Sequence, residues 1–223
     1  MAQKEFLDCL APEDRVRLRQ EMSVIELERD ELVISQNDKS LDVFFVLEGS
    51  ARATGLSAEG KLVTYREIPE GAVFGELSAI DDLPRSANVV ATGRLVVGRM
   101  TQKDFRDAID NDHVFRWALL EYMTEQSRAM TARIFEFSTM VVRDRLIGEL
   151  LRLAEATSPD ANRVEIQPAP THFDLASRIS THREAVSREM GSLTKDGLLS
   201  KQLKTLTLHD VGALRSQREG GGR

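Results

Sequence analysis

FGELSAIDDLPRSANV, residues 74–89, sets a glycine and an acid ahead of a short apolar turn and an Arg-Ser pair behind it. Glu76 and Arg85 are close enough in sequence to pair with each other. They can equally face a common guest with hydroxyls at one end and negative charge at the other. GELSAIDD reads as a single helical turn, and it interrupts a β-rich texture. SVIEL (23–27), ELVIS (31–35), DVFFVLEG (42–49), ARATG (51–55), KLVTYREI (61–68), ANVVAT (87–92) and RLVVGRM (94–100) alternate with turn residues such as Asn37-Asp38, Gly49, Gly60, Gly71 and Gly93. Short strands at this regular spacing predict an antiparallel barrel or sandwich. Upstream, APEDRVRLRQEM (11–22) predicts a helix, with Pro12 in its first turn and two acids at its positive end.

Downstream, HVFRWALLEYMTEQSRAMTARIFEFSTMV (113–141) contains neither Pro nor Gly. Within it Leu120, Met123, Ser127, Met130, Ile134, Phe137 and Val141 recur at alternating steps of three and four, a heptad seam with one polar member. So narrow a stripe fits a parallel coiled-coil pair and predicts a homodimer; packing on the chain's own barrel is the alternative. Glu125, Arg128 and Arg133 flank the seam as solvated or cross-paired charges. VRDRLIGELLRLAEAT (142–157) reads as a second helix and RVEIQ (163–167) as a strand.

The stretch THFDLASRISTHREAVSREMGSLTKDGLLS (171–200) reads as two helices joined by a tight turn. Thr171 caps the first. Leu175, Ala176 and Ile179 form one inward face, and Ala185, Val186, Met190 and Leu193 the other. His182, Arg183, Glu184, Ser187 and Arg188 fall on the outer N-terminal face of the second helix. Arginine there can bond guanine O6 and N7 in the major groove, and glutamate can accept from cytosine N4. LLSKQLKTLTL (198–208) predicts a small hairpin whose Lys201 and Lys204 touch phosphates. Ser180 stands in the turn where glycine is common, so a side chain must tolerate that backbone.

Composition narrows the function classes. In a chain of 223 residues, 41% are hydrophobic and 30% charged, an ordinary globular balance. Residues 1–140 carry 17 basic against 25 acidic side chains, a balance of −8; residues 141–223 carry 13 against 11, a balance of +2. An acidic module joined to a weakly basic one is the expectation. Apolar runs such as VFFVL (43–47) are too short for a bilayer, and MAQKEFLDCL lacks the pattern of a secretory signal. With a single cysteine, Cys9, the reading is a reducing, cytoplasmic protein without an internal disulfide, zinc cluster or iron–sulfur centre. A haem sensor has only Cys9 and His113 to offer as ligands in this half. The four histidines (113, 172, 182 and 209) show no metal spacing, and no nucleophile elbow or triphosphate loop is present, so neither a metal site nor an enzyme is expected.

An acidic β-barrel, a dimerising helix and a winged helix, in that order, resemble the catabolite activator (cyclic-AMP receptor) and FNR superfamily of bacterial transcription regulators over nearly the full length. In that family the counterpart of 74–89 is the phosphate-binding cassette. Gly75-Glu76-Leu77-Ser78 opens it and Arg85-Ser86-Ala87 closes it. The Pro84-Arg85 junction also looks like the sites of cyclic-AMP-dependent kinase regulators. The resemblance implies an α+β fold: an antiparallel β-roll over 1–112, a dimerisation helix and hinge over 113–140, and a winged helix-turn-helix over 141–223. It implies a cyclic nucleotide as effector, cyclic AMP first and cyclic GMP second. Arg85 takes the phosphate and Ser86 adds a hydroxyl. Glu76 accepts from the ribose 2′-hydroxyl, and Gly75 admits the backbone closely. Met130 and Thr131 stand at the positions that reach the purine, and only Thr131 keeps a hydroxyl. His182-Arg183-Glu184 and Arg188 match the readers of a TGTGA-like half-site in an inverted-repeat operator, with RNA polymerase as a further partner. Rival readings are a family regulator with another effector or none, and a nucleotide-binding module acting on a protein partner.

Overall fold

The computed structural model describes residues 5–57 and 62–220, so Gly60 and the end of the glycine tail (221–223) lie outside the described residues. Each of the seven stretches between 23 and 100 read as extended contributes a strand: β1 Ser23–Leu27, β2 Leu32–Ile34, β3 Val43–Glu48, β4 Ala51–Leu56, β5 Leu62–Ile68, then β7 Asn88–Ala91 and β8 Leu95–Met100. An eighth, β6 Val73–Phe74, has only two residues and leads directly into Gly75. All pairings are antiparallel and build two four-stranded sheets, ordered β1-β8-β3-β6 and β2-β7-β4-β5.

β3 explains its own unbroken apolar run. Phe44 and Val46 point into a core shared by the two sheets, with Ile34, Ala53, Ile68, Phe74, Val89 and Val97. Val43 and Phe45 point the other way, into a second cluster with Phe6, Phe105, Phe115 and Tyr122. A strand covered on both faces loses the alternation of a half-exposed one. Helices supply the second cover: α1 Pro12–Gln20, α3 Gln102–Asn111, and the first turns of α4 His113–Thr139, preceded by a 3-10 turn at Phe6–Cys9. The cassette segment forms α2 Glu76–Asp81. On α4, Phe115, Ala118, Leu119 and Tyr122 face this core, a row distinct from most of the heptad seam.

The chain divides into two compact units inside α4, Gln3–Ala129 and Met130–Arg223. In the second, α5 Val142–Thr157, α6 His172–Arg178, α7 Arg183–Lys195 and α8 Val211–Gly220 surround a sheet ordered β10-β11-β9. β9 is Val164–Ile166, β10 Leu199–Gln202 and β11 Thr205–Leu208. The expected hairpin is thus three strands wide, because Leu206 and Leu208 of β11 pair with Ile166 and Val164. Leu175, Ala176, Ile179, Val186, Met190 and Leu193 enter one core with Leu146, Ile147 and Leu150 of α5; Ala185 is half-buried at its edge.

Buried charge organises this unit. The Glu149 carboxylate meets Arg133 at 3.1 Å, Arg152 at 3.0 Å and Arg178 at 3.1 Å. Burial pushes its carboxyl up, but the guanidinium groups of Arg152, Arg178 and Arg133 outweigh burial and hold it below the ordinary range. Glu136 takes Arg152 at 3.0 Å and Arg218 of α8 at 2.7 Å. Arg133 is therefore no solvated flank of the seam: it also donates to the Arg178 carbonyl and lies 5.1 Å from the centre of the Phe137 ring.

Candidate functional site

Gly75 opens α2 with φ +83°, the left-handed region open to glycine without steric cost. A Cβ there would also lie 2.9 Å from Arg85 Nη1 and 3.0 Å from the Asp42 carbonyl oxygen. Backbone conformation and close approach both demand glycine at this point. The Arg85 backbone is pinned from either side, its N–H donating to the Asp38 carbonyl (2.9 Å) and its carbonyl accepting from the Asn37 N–H (2.9 Å).

The Arg85 side chain is 2% exposed. Nη1 donates to the Gly75 carbonyl at 2.7 Å, Nη2 to the Asp42 carbonyl at 2.6 Å and Nε to Ser40 Oγ at 3.2 Å. A guanidinium has five N–H donors; these bonds leave one on each terminal nitrogen, the pair that grips two oxygens of an anion. Glu76 is 8% exposed, and among the described residues it forms no ion pair with Arg85. Self-pairing of acid and guanidinium, one of the two sequence alternatives, therefore does not occur. Burial pushes the Glu76 carboxyl up, opposed by Arg66, by its own N–H and then by Arg85. Ser78 is buried, while Leu77 and Ser86 are exposed.

Ser40, the Asp42 carbonyl and Arg66 escaped the sequence reading. Backbone carbonyls leave no signature in side-chain identity, and a lone arginine in a strand reads as a solvent-facing residue. Arg66 instead donates from Nη1 to Tyr122 Oη at 2.6 Å and from Nη2 to the Val73 carbonyl at 2.9 Å.

A second constellation lies in the other unit. Thr171 caps α6: its Oγ1 accepts from the Asp174 N–H at 3.0 Å, and Asp174 accepts from the Thr171 N–H at 3.1 Å, a reciprocal capping box. The connecting turn passes through Ser180 at φ +51°, as its glycine-like position predicts. His182 is the N-cap of α7, and His182, Arg183, Glu184, Ser187 and Arg188 are all exposed. His172, unforeseen from sequence, bonds Ser187 Oγ through Nδ1 at 2.7 Å. Burial, and the nearby charges of Lys201 and Arg183, push the His172 ring down from its ordinary value. Lys201 of the β10–β11 hairpin and Arg183 of α7 thus both act on the same imidazole. At the hairpin tip Lys201 and Lys204 are exposed, and Leu203 between them, at φ +51°, is 99% exposed.

Of the seam residues, Leu120, Met130, Ile134 and Val141 are exposed as large apolar side chains, as are Trp117 and Phe135 beside them. Ser127 is exposed too, whereas Met123 packs partly against the core under α4 and Phe137 is half-buried against Arg133 and Arg145. Met130 and Thr131 are exposed on the part of α4 that belongs to the second unit. Among the described residues no helix is long and apolar enough to cross a membrane.

Comparison with known proteins matches residues 24–112 to the cyclic nucleotide-binding domain and residues 144–217 to the Crp-like helix-turn-helix domain. The chain is 26% identical over 193 residues to the transcriptional regulator LdrP of Thermus thermophilus, covering 86% of this chain and 94% of that protein. It is 24% identical over 184 residues to the cAMP-activated global transcriptional regulator Vfr of Pseudomonas aeruginosa, covering 79% and 84%. Among solved structures, the c-di-GMP responsive global regulator CLP of Xanthomonas campestris superposes with a TM-score of 0.78 at 17% identity, covering 89% of this chain and 99% of that one.

Proposed function

The chain belongs to the CRP/FNR family of transcription regulators, with a cyclic nucleotide-binding domain followed by a Crp-like helix-turn-helix domain, and on that premise we propose that it is a homodimer whose grip on operator DNA is set by a 3′,5′-cyclic nucleotide. The observation that carries the reading is Arg85, a buried guanidinium with one free N–H on each terminal nitrogen, bonded to the carbonyl of the glycine that precedes Glu76. A cyclic phosphate takes the two N–H groups, and Ser86 lends a hydroxyl. The Glu76 carboxylate accepts from the ribose 2′-hydroxyl. Purine selection falls to Met130 and Thr131, the second of which offers the hydroxyl. Cyclic AMP is the first effector and cyclic GMP the second, since a hydroxyl at Ser86 or Thr131 can serve either base.

The exposed row His182, Arg183, Glu184, Ser187 and Arg188 supports major-groove reading of a TGTGA-like half-site. Thr171, Lys201 and Lys204 stand beside it for phosphate contacts. Two such helices address an inverted repeat about 34 Å apart, as dimeric helix-turn-helix proteins do. The exposed apolar row along α4 is the surface by which two copies pair. For the nucleotide to act at a distance, it must bind the DNA-competent arrangement more tightly than the other.

Calorimetric titration of the protein with cyclic AMP and with cyclic GMP tests the reading. One nucleotide is expected to bind at a single site per chain, with the other weaker. Binding of neither, with operator DNA still bound specifically, overturns the effector assignment.

A further inference from the structure

Ser187 stands in the exposed row of α7, yet its hydroxyl is held from outside that helix. Serine and threonine in a helix can donate their O–H to the carbonyl four residues back. Thr194 of α7 does so to Met190 at 2.9 Å, and Ser216 of α8 to Gly212 at 3.1 Å. Ser187 makes no such bond among the described residues. Its partner is His172 Nδ1, 2.7 Å away on the first turn of α6.

The backbone that carries this ring is fixed on both sides. The Thr171–Asp174 capping box sets the start of α6. The segment before it is tied to the hairpin: the Ala169 N–H donates to the Lys204 carbonyl at 2.7 Å, and Lys201 Nζ to the Pro170 carbonyl at 3.5 Å. A neutral imidazole has one donor and one acceptor nitrogen. Burial, with the charges of Lys201 and Arg183, pushes the His172 ring below its ordinary value and keeps it neutral at pH 7. The Ser187 proton, without a helix carbonyl to receive it, goes to Nδ1, and the ring proton sits on Nε2.

A free serine hydroxyl serves donors and acceptors on base edges alike. With its proton committed to Nδ1, Ser187 Oγ has only lone pairs to offer. Such an oxygen accepts from the N6 amino group of adenine or the N4 amino group of cytosine, and is repelled by O6 and N7 of guanine.

Resting on the operator reading above, we propose that His172 is the positioning residue that sets base choice at Ser187: by accepting the Ser187 O–H it makes that side chain an acceptor, selective for a base amino group in the major groove. His172 belongs to α6, outside the row from His182 to Arg188 in which the sequence shows its DNA-facing residues.

The full-length protein, with saturating cyclic nucleotide, is used to select an operator from randomised duplexes. Fluorescence anisotropy then measures affinity for that operator and for versions with each base pair of both half-sites replaced in turn. Wild type, Ser187→Ala, His172→Phe (a ring without Nδ1) and the double variant are compared, with thermal unfolding followed for each. Ser187→Ala is expected to lose about 3- to 10-fold discrimination at one base pair, the size of one hydrogen bond. His172→Phe loses discrimination at that same pair, stays within about twofold of wild type elsewhere, and adds nothing further in the double variant. Removing the base amino group of that pair, with purine for adenine or pyrimidin-2-one for cytosine, abolishes the advantage of wild type over Ser187→Ala. A 7-deaza purine at the pair leaves that advantage intact. A uniform loss in His172→Phe across all sequences makes the histidine a structural or phosphate-contacting residue and overturns the proposal. Unchanged discrimination in His172→Phe or in Ser187→Ala overturns it as well, as does an advantage that survives amino-group removal. A wild type that selects no operator overturns the underlying reading, an outcome distinct from selection without the predicted loss at one pair.

Discussion

Arg85 shows how far a residue's role depends on what its donors already hold. Three of its five N–H groups serve the Gly75 carbonyl, the Asp42 carbonyl and Ser40, so a lysine cannot replace both the fork and the scaffold. Arg85→Lys is expected to lower cyclic-nucleotide affinity about 10- to 100-fold, the equivalent of about 1.5–3 kcal/mol for a charge-assisted bond, and isothermal titration reads it directly. Ser180 holds φ +51° with a Cβ, so Ser180→Gly should relieve local strain and stabilise the second unit by about 0.5 kcal/mol; a fall in melting temperature would count against the assigned turn. Glu5 gives a pH dependence. Burial raises its carboxyl from 4.5 to about 7, with Arg66 opposing. A folded-state value above the unfolded one means stability present at low pH and lost as pH rises through about 7. Denaturant midpoints should therefore fall between pH 5 and pH 8 in the wild type, and fall less in Glu5→Gln. At this scale the sequence named Gly75, Glu76 and Arg85 because the cassette is a contiguous motif. It was silent on Ser40, Asp42 and Arg66, which come through space from the segment before β3 and from β5.

Elements were legible where periodicity is long, and not where it is short. Seven strands and the long helix announced themselves through alternation or the absence of Gly and Pro. β6, with two residues, carries no period at all, yet its Val73 carbonyl ties Arg66 and Tyr122 together. α8 had a local signal, since Asp210 Oδ1 caps it by accepting from the Ala213 N–H at 2.8 Å. Its purpose did not show in sequence: Arg218 reaches back to Glu136. The heptad steps on α4 were visible, but the same helix carries a second apolar row, Phe115, Ala118, Leu119 and Tyr122, into its own core. At this scale the decisive residue is Glu149, on which three arginines converge. Glu149→Gln leaves those guanidinium groups without their counter-charge, and a loss of about 3 kcal/mol is expected from breaking a buried network on one side. Its folded-state carboxyl lies below the ordinary 4.5, so this stabilisation is present above that value and lost as pH falls through the lower one. The gap between wild type and variant in urea unfolding should be full at pH 7 and narrow below pH 4. A gap that widened in acid would contradict the network.

For the whole molecule, the acidic first module and the weakly basic second one were readable from composition, and the order of barrel, helix and winged helix was readable from pattern. On the proposed reading, two copies pair through the exposed row on α4. Ile134, 65% exposed, is the natural place to break it: Ile134→Lys puts a charge on an apolar seam and should give monomers in sedimentation velocity at micromolar concentration, with operator affinity falling in parallel because each subunit reads one half-site. The central claim joins the two modules, with the nucleotide at Arg85 governing DNA binding through α7. Fluorescence anisotropy tests it most directly, using a labelled duplex with inverted TGTGA half-sites at fixed salt, without nucleotide and with saturating cyclic AMP or cyclic GMP. A coupling of the usual size, about 1–3 kcal/mol, predicts operator binding tightened 5- to 150-fold by one nucleotide, with no tightening in Arg85→Lys at the same nucleotide concentration. Operator affinity unchanged by either nucleotide would contradict the account.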